Sequence, residues 1–155
     1  MTYLNYSLLI LLRLKRDIRN GQRDIQRAEQ ILFPNLPSTP HPSSLPPTKL
    51  AGEYFNKGYG SVILTEERHP TKPQEPILAA YRPEIRWGER WEMVHASGDF
   101  WTLYIKFPAH SDITTQFYSA KFEMGVDGNV TSLEVDFYDQ GEGIRQGLVQ
   151  FAKVK

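Results

Sequence analysis

The 155-residue sequence has no cysteine. Disulfides, thiolate metal ligands and thiol nucleophiles are excluded by that alone, and a reducing, cytoplasmic setting is the expectation. Net charge is lacking as well, since 18 basic and 18 acidic residues cancel. The basic footprint that neutralises nucleic-acid phosphates is therefore absent, and no nucleic-acid partner is expected. No long apolar run occurs. The stretch Leu8-Leu9-Ile10-Leu11-Leu12 is far short of the roughly 20 residues a bilayer span needs. It has no basic segment before it and no small-residue cleavage site after it, so neither a membrane span nor a signal peptide is expected. His-x-His, His-Glu-x-x-His and Asp-rich calcium loops are missing too, and the expectation is no metal and no other cofactor.

What is present falls into three parts. In residues 1–33, Leu4, Leu8, Leu11, Leu12, Ile18, Ile25 and Leu32 recur at helical steps, with six Arg or Lys against three Asp or Glu. This predicts a basic amphipathic helical arm, with Asn20-Gly21 a point at which it could divide and Pro34 its end. Such a helix needs a surface to cover its apolar side: its own body, another protein, or a second copy in a homodimer through Leu4, Leu8 and Leu11. Residues 34–47 hold Pro34, Pro37, Pro40, Pro42, Pro46 and Pro47 and predict an extended, semi-rigid linker.

From residue 48 to 155 the period changes to two. Apolar-rich runs at 59–64, 77–81, 91–97, 101–107, 118–124, 130–137 and 148–154 alternate with turn signals such as Ser97-Gly98-Asp99, Asp127-Gly128 and Gly141-Glu142-Gly143. The fold class predicted is mainly β, a small antiparallel barrel of seven or eight strands preceded by the helical arm, with closure favoured because it removes exposed edges. Asp127-Gly128 is the clearest hairpin signal. Leu133, Val135 and Phe137 are expected in the core, and the alternating Glu134 and Asp136 on the solvent side.

Among titratable residues, His95 stands apart from the loop histidines His41, His69 and His110. On a strand it shares a face with Trp91 and Met93. An inward imidazole in an apolar interior stays neutral and could act as a general base. The simpler reading is a core histidine bonded to a neighbouring strand or to Asp99. Asp99 reads as a turn former, or as an acid that orients His95. The expected catalytic pair is thus His95 and Asp99. Trp91, Met93, Trp101 and Tyr104 would line a cavity, and Arg86 would hold an anionic or enolic oxygen at its mouth.

One stretch carries a resemblance. Leu50-Ala51-Gly52-Glu53-Tyr54-Phe55-Asn56-Lys57-Gly58-Tyr59-Gly60 resembles the L-x-G-x-Y-x-N-x-G-Y-G opening of the lipocalin-like barrel that follows the catalytic domain in fungal serine β-lactamase-like hydrolases of the penicillin-binding-protein type. Residues 91–101 and 122–130 agree with it in order and spacing, so the resemblance covers about residues 48–155. Residues 1–47 are similar to the join between catalytic domain and barrel. The serine hydrolase activity does not come with it. The sequence has no Ser-x-x-Lys, the pair in which a base activates the nucleophile, and Tyr3-Leu4-Asn5 and Tyr54-Phe55-Asn56 match only a Tyr-x-Asn element.

Two function classes follow. The first is a stand-alone barrel that binds an apolar small molecule, as lipocalin-like cyclases of fungal polyketide-type natural-product pathways do by fold analogy, with cofactor-independent cyclisation or isomerisation. The second is a non-catalytic accessory or interaction domain left from a β-lactamase-like hydrolase. They make opposite predictions. The first requires an open interior lined by His95, Trp91 and Tyr104 with a carboxylate nearby; the second requires a filled interior and an exposed apolar helix face.

Overall fold

The computed structural model describes residues 2–138 and 145–155, with side chains placed for residues 8–16, 19–137 and 147–155. The chain begins with a helix pair, α1 (Thr2–Gln26) and α2 (Ala28–Leu32), and passes through a proline-rich strap to the single turn α3 (Pro47–Leu50). Eight strands follow: β1 (Gly52–Asn56), β2 (Gly60–Arg68), β3 (Pro76–Arg82), β4 (Glu89–Ser97), β5 (Phe100–Lys106), β6 (Thr114–Met124), β7 (Val130–Tyr138) and β8 (Arg145–Lys153). Each pairs antiparallel with its sequence neighbour. β1 closes the barrel on β8 through Tyr54↔Lys153 and Phe55↔Ala152.

Alternation decides what faces inward. Along β5, Trp101, Leu103 and Ile105 point into the barrel; along β4, Trp91 and Met93 do so, paired with Ile105 and Leu103. Tyr54 of β1, Val62 and Leu64 of β2, Leu78 and Ala80 of β3, Ala120 and Phe122 of β6, Leu133, Val135 and Phe137 of β7, and Phe151 of β8 complete the ring. The interior is filled. Tyr54, Trp91, Met93, Leu103, Leu133, Val135 and Phe151 are all 0 % exposed, so no void large enough for a water molecule lies against any of them. Aromatic rings interlock there edge to face, Trp91 on Phe151 at 5.8 Å and Trp101 on Phe122 at 5.9 Å, a favoured geometry for π quadrupoles.

Both mouths are occupied. At the far end, where β1–β2 and β3–β4 connect, Tyr59 stacks on Phe137 at 5.2 Å. Buried Arg82 spreads over the Trp91 ring there and donates to the Tyr59 carbonyl and to Glu84. At the strap end, α3 drops Leu50 into the core, and the buried Tyr54 hydroxyl donates to the Leu50 carbonyl at 2.5 Å. Pro47 opens α3 at a position where a missing N–H costs nothing.

The arm continues through Asn20-Gly21, the expected point of division, because a glycine in an exposed helix is tolerated at about 1 kcal/mol. The break comes at Arg27, whose backbone (φ −106°, ψ 11°) leaves helical geometry. This turn lays α2 on β5 and β6, where Ala28 is buried and Phe33 meets Phe100 edge-on at 5.9 Å. The proline-rich segment is tied to the barrel as a strap. His41 N–H donates to Ser97 Oγ at 2.9 Å, Gly98 N–H donates to the His41 carbonyl at 2.9 Å, and Ser44 gives both its N–H and its hydroxyl to the Asp99 carboxylate.

The β6–β7 hairpin forms around Asp127-Gly128. Gly128 has φ +80° and its N–H donates to the Gly125 carbonyl, giving a longer loop than a two-residue turn. The expected Gly141-Glu142-Gly143 turn lies outside the described residues.

Candidate functional site

His95 ends the inward row of β4 at the strap end, cross-strand from Trp101. A register shift between His95 and Ser97 re-aims the chain into the Gly98-Asp99 turn, where Gly98 needs its positive φ of +58°. The imidazole meets Trp101 edge-on at 5.1 Å, and its Nε2 lies 2.8 Å from the Gly98 carbonyl. A carbonyl only accepts, so Nε2 carries the proton. In the neutral ring Nδ1 is then the free acceptor.

Asp99 does not meet His95. Its two oxygens accept from Ser44, at 2.9 Å from the amide and 2.7 Å from the hydroxyl, and so anchor the strap. Trp91 and Met93 are sealed in the core, and Trp91 Nε1 donates to Glu89 at 2.8 Å. Tyr104 faces outward between Glu92 and Phe117, on the strand that α2 packs against. Burial, with a smaller contribution from Glu29, holds its hydroxyl above the usual phenol range. Arg86 lies in the β3–β4 connection at the opposite end from His95, stacked at 4.7 Å on the exposed Trp87, itself held at φ +68°. The expected cavity residues are therefore split between the core, the outer wall and the two ends, and only His95 and Trp101 share a surface.

That surface is the floor of a cleft of about 740 Å³ between the strap and the barrel wall. Pro40, Pro42, Leu45, Pro46 and Pro47 form one side; Pro76, Val94, Ala96, His95 and Trp101 form the other. Glu29, Lys72 and Glu75 sit at its edge. Sequence reading missed the strap's share of this cleft. Prolines signalled a spacer, and nothing local marks His41 and Ser44 as partners of residues more than fifty positions away.

The electrostatics elsewhere are structural. On the outer wall Glu92 accepts from Arg90 at 3.0 Å and Lys106 at 3.1 Å. Burial alone would raise its carboxyl, but these two cations together hold it below the usual carboxylate range. Arg90 also reaches Glu67 at 2.6 Å, the interaction that most raises its guanidinium's proton affinity. Among the described residues no cluster of His, Asp or Glu has metal-binding geometry. Among them, too, no helix is long and apolar enough to cross a membrane.

No protein-family model matches the chain, and no curated protein matches it. Among solved structures, it is similar to the crystal structure of the C-terminal domain of penicillin binding protein Rv0907. The two are 20 % identical with a TM-score of 0.46, over 77 % of this chain and 94 % of that one.

Proposed function

We propose that this chain is a non-catalytic accessory domain that works by docking its N-terminal helix into a protein partner. The partner is the catalytic unit of a serine β-lactamase-like hydrolase. The observation that carries this reading is the contrast between interior and arm. The described core residues fill the barrel interior, whereas Leu8, Leu9, Ile10, Leu11 and Leu12 of α1 are each between 54 and 62 % exposed.

Five consecutive residues step 100° apart around a helix and so cover its whole circumference. A helix apolar on every side is one that other structure surrounds. A flat membrane surface or a single helix partner would leave half of it in water. A groove in a protein would not, and basic Arg13, Lys15 and Arg16 directly after the apolar stretch would mark where the helix emerges. The resemblance of residues 50–60, 91–101 and 122–130 to the barrel of those hydrolases, and of residues 1–47 to its join, supports that identity for the partner. The two expected partners of His95 are placed elsewhere: Asp99 accepts from Ser44, and Arg86 lies at the other end of the barrel.

The test is calorimetric titration of the chain with a separately purified catalytic domain of that hydrolase class. A one-to-one complex is expected. Burying a leucine contributes about 1.5–3 kcal/mol, so Leu9→Gln with Leu11→Gln weakens it about a hundredfold or more while the barrel's melting temperature stays put. No heat from the parent chain, or undiminished binding by the double variant, overturns the proposal. A concentration-dependent dimer of the chain alone gives the helix to a second copy instead.

A further inference from the structure

The strap cleft has a property that docking of α1 does not use. Two residues that line it carry a buried polar atom without a partner, and a third offers an open acceptor. The Trp101 indole N–H and the Ser43 hydroxyl are both buried with no hydrogen-bond partner. His95 has Nε2 committed to Gly98, which leaves Nδ1 as an acceptor without a donor. All three residues line the same cleft. Buried polar groups in native proteins are almost always paired, and an orphaned one costs about 1–3 kcal/mol. Two orphans and a free acceptor at one cleft, whose volume of about 740 Å³ falls in the range of small-molecule sites, point to an occupant.

We infer that the cleft binds a neutral, ring-bearing amide. The chemistry selects this class. The Trp101 indole can only donate, so the ligand must present an acceptor; in the neutral ring with its proton on Nε2, His95 Nδ1 only accepts, which calls for a donor as well. An amide carries both, on the oxygen and the nitrogen of one carbonyl carbon. The walls are proline rings, Leu45, Val94 and Ala96, which suit an apolar ring rather than a polar chain. Glu29 and Glu75 against the single Lys72 leave the rim acidic, which disfavours carboxylates and phosphates. Ser43 lies between the two strap anchors, His41 on Ser97 and Ser44 on Asp99. A ligand reaches the orphaned groups by displacing Pro42–Ser43, and the anchors return the strap over it.

The experiment is a nitrogen-15 NMR titration of the full chain with benzamide, read at the indole N–H resonances of Trp87, Trp91 and Trp101. Benzamide is expected to shift the Trp101 resonance saturably and leave those of Trp87 and Trp91 in place. N,N-dimethylbenzamide, which keeps the ring and carbonyl but has no N–H, binds roughly tenfold more weakly, the loss of the one hydrogen bond it would give to His95 Nδ1. Ser43→Ala removes an orphaned hydroxyl, so the free protein's melting temperature holds or rises while benzamide affinity falls about threefold or more. The inference fails if the Trp101 resonance does not saturate up to the solubility of benzamide, if all three indoles move together, or if Ser43→Ala binds as well as the parent. Each result is independent of α1 and leaves the docking proposal where it stood.

Discussion

A filled interior makes core substitutions in opposite directions both harmful, and this separates it from a ligand-holding barrel. Leu103 is 0 % exposed, paired with Met93 and Tyr118 at mid-barrel. Leu103→Ala removes three carbons that the surrounding rings cannot fully replace. Buried Leu→Ala changes of this kind cost about 3–5 kcal/mol, a melting-temperature loss of roughly 6–20 °C for a chain of this length.

The reverse substitution is the sharper of the two. Ala120 faces inward between Trp101 and Val135. In a packed barrel Ala120→Leu has nowhere to put its added carbons and costs about 1–3 kcal/mol in strain. In a barrel with an open cavity the same carbons would leave water and stabilise by about 2 kcal/mol, at about 0.8 kcal/mol per methylene. The sign of the change therefore decides. Both variants are read by thermal and urea unfolding, with an unchanged urea m-value confirming that the denatured state is the same. A raised melting temperature for Ala120→Leu, or a loss under about 1 kcal/mol for Leu103→Ala, would refute the filled interior.

Two further outcomes follow from the hydrogen bonds and charges. Glu92, held below its ordinary 4.5 by Arg90 and Lys106, stabilises the fold above pH 4.5, and that contribution disappears as pH falls through its lowered folded-state value; Glu92→Gln should therefore be less stable than the parent at neutral pH, with the gap closing in acid-unfolding curves below pH 4.5. Tyr54→Phe leaves the buried Leu50 carbonyl without its donor and costs about 1–3 kcal/mol; because burial raises the Tyr54 hydroxyl above its ordinary 10.0, the parent also loses stability as pH climbs past 10.0, and the variant's alkaline limb should be flatter.

The strands were legible where alternation was sharp. Trp91-Met93 and Trp101-Leu103-Ile105 show their inward faces from spacing alone. The exposed ends of strands were not legible. β2 runs on through Thr65-Glu66-Glu67-Arg68 and β6 starts at Thr114, where polar residues carry no periodic signal and pairing across the sheet extends the strand. β3 is buried from Ile77 through Ala80 on both faces, which blurs its alternation. His95 was read correctly as the companion of Trp91 and Met93 on one strand face. Spacing could not say that it ends the row, half-buried beneath the strap. Nor could it say that Asp99 turns to Ser44, because loop-to-loop contacts between distant segments leave no local pattern. The choice between open and filled interior depended on how aromatic rings such as Trp91 on Phe151 and Trp101 on Phe122 pack together, an outcome that composition does not determine.

Amide hydrogen exchange of the chain alone and in the presence of the hydrolase catalytic domain tests the docking account most directly. An uncovered helix end exchanges readily, since helices in water draw most of their stability from packing. The account predicts little protection of residues 8–16 in the isolated chain, strong protection of them in the mixture, and unchanged protection of β4 and β5. Protection that leaves residues 8–16 untouched and appears instead in the barrel strands would contradict it.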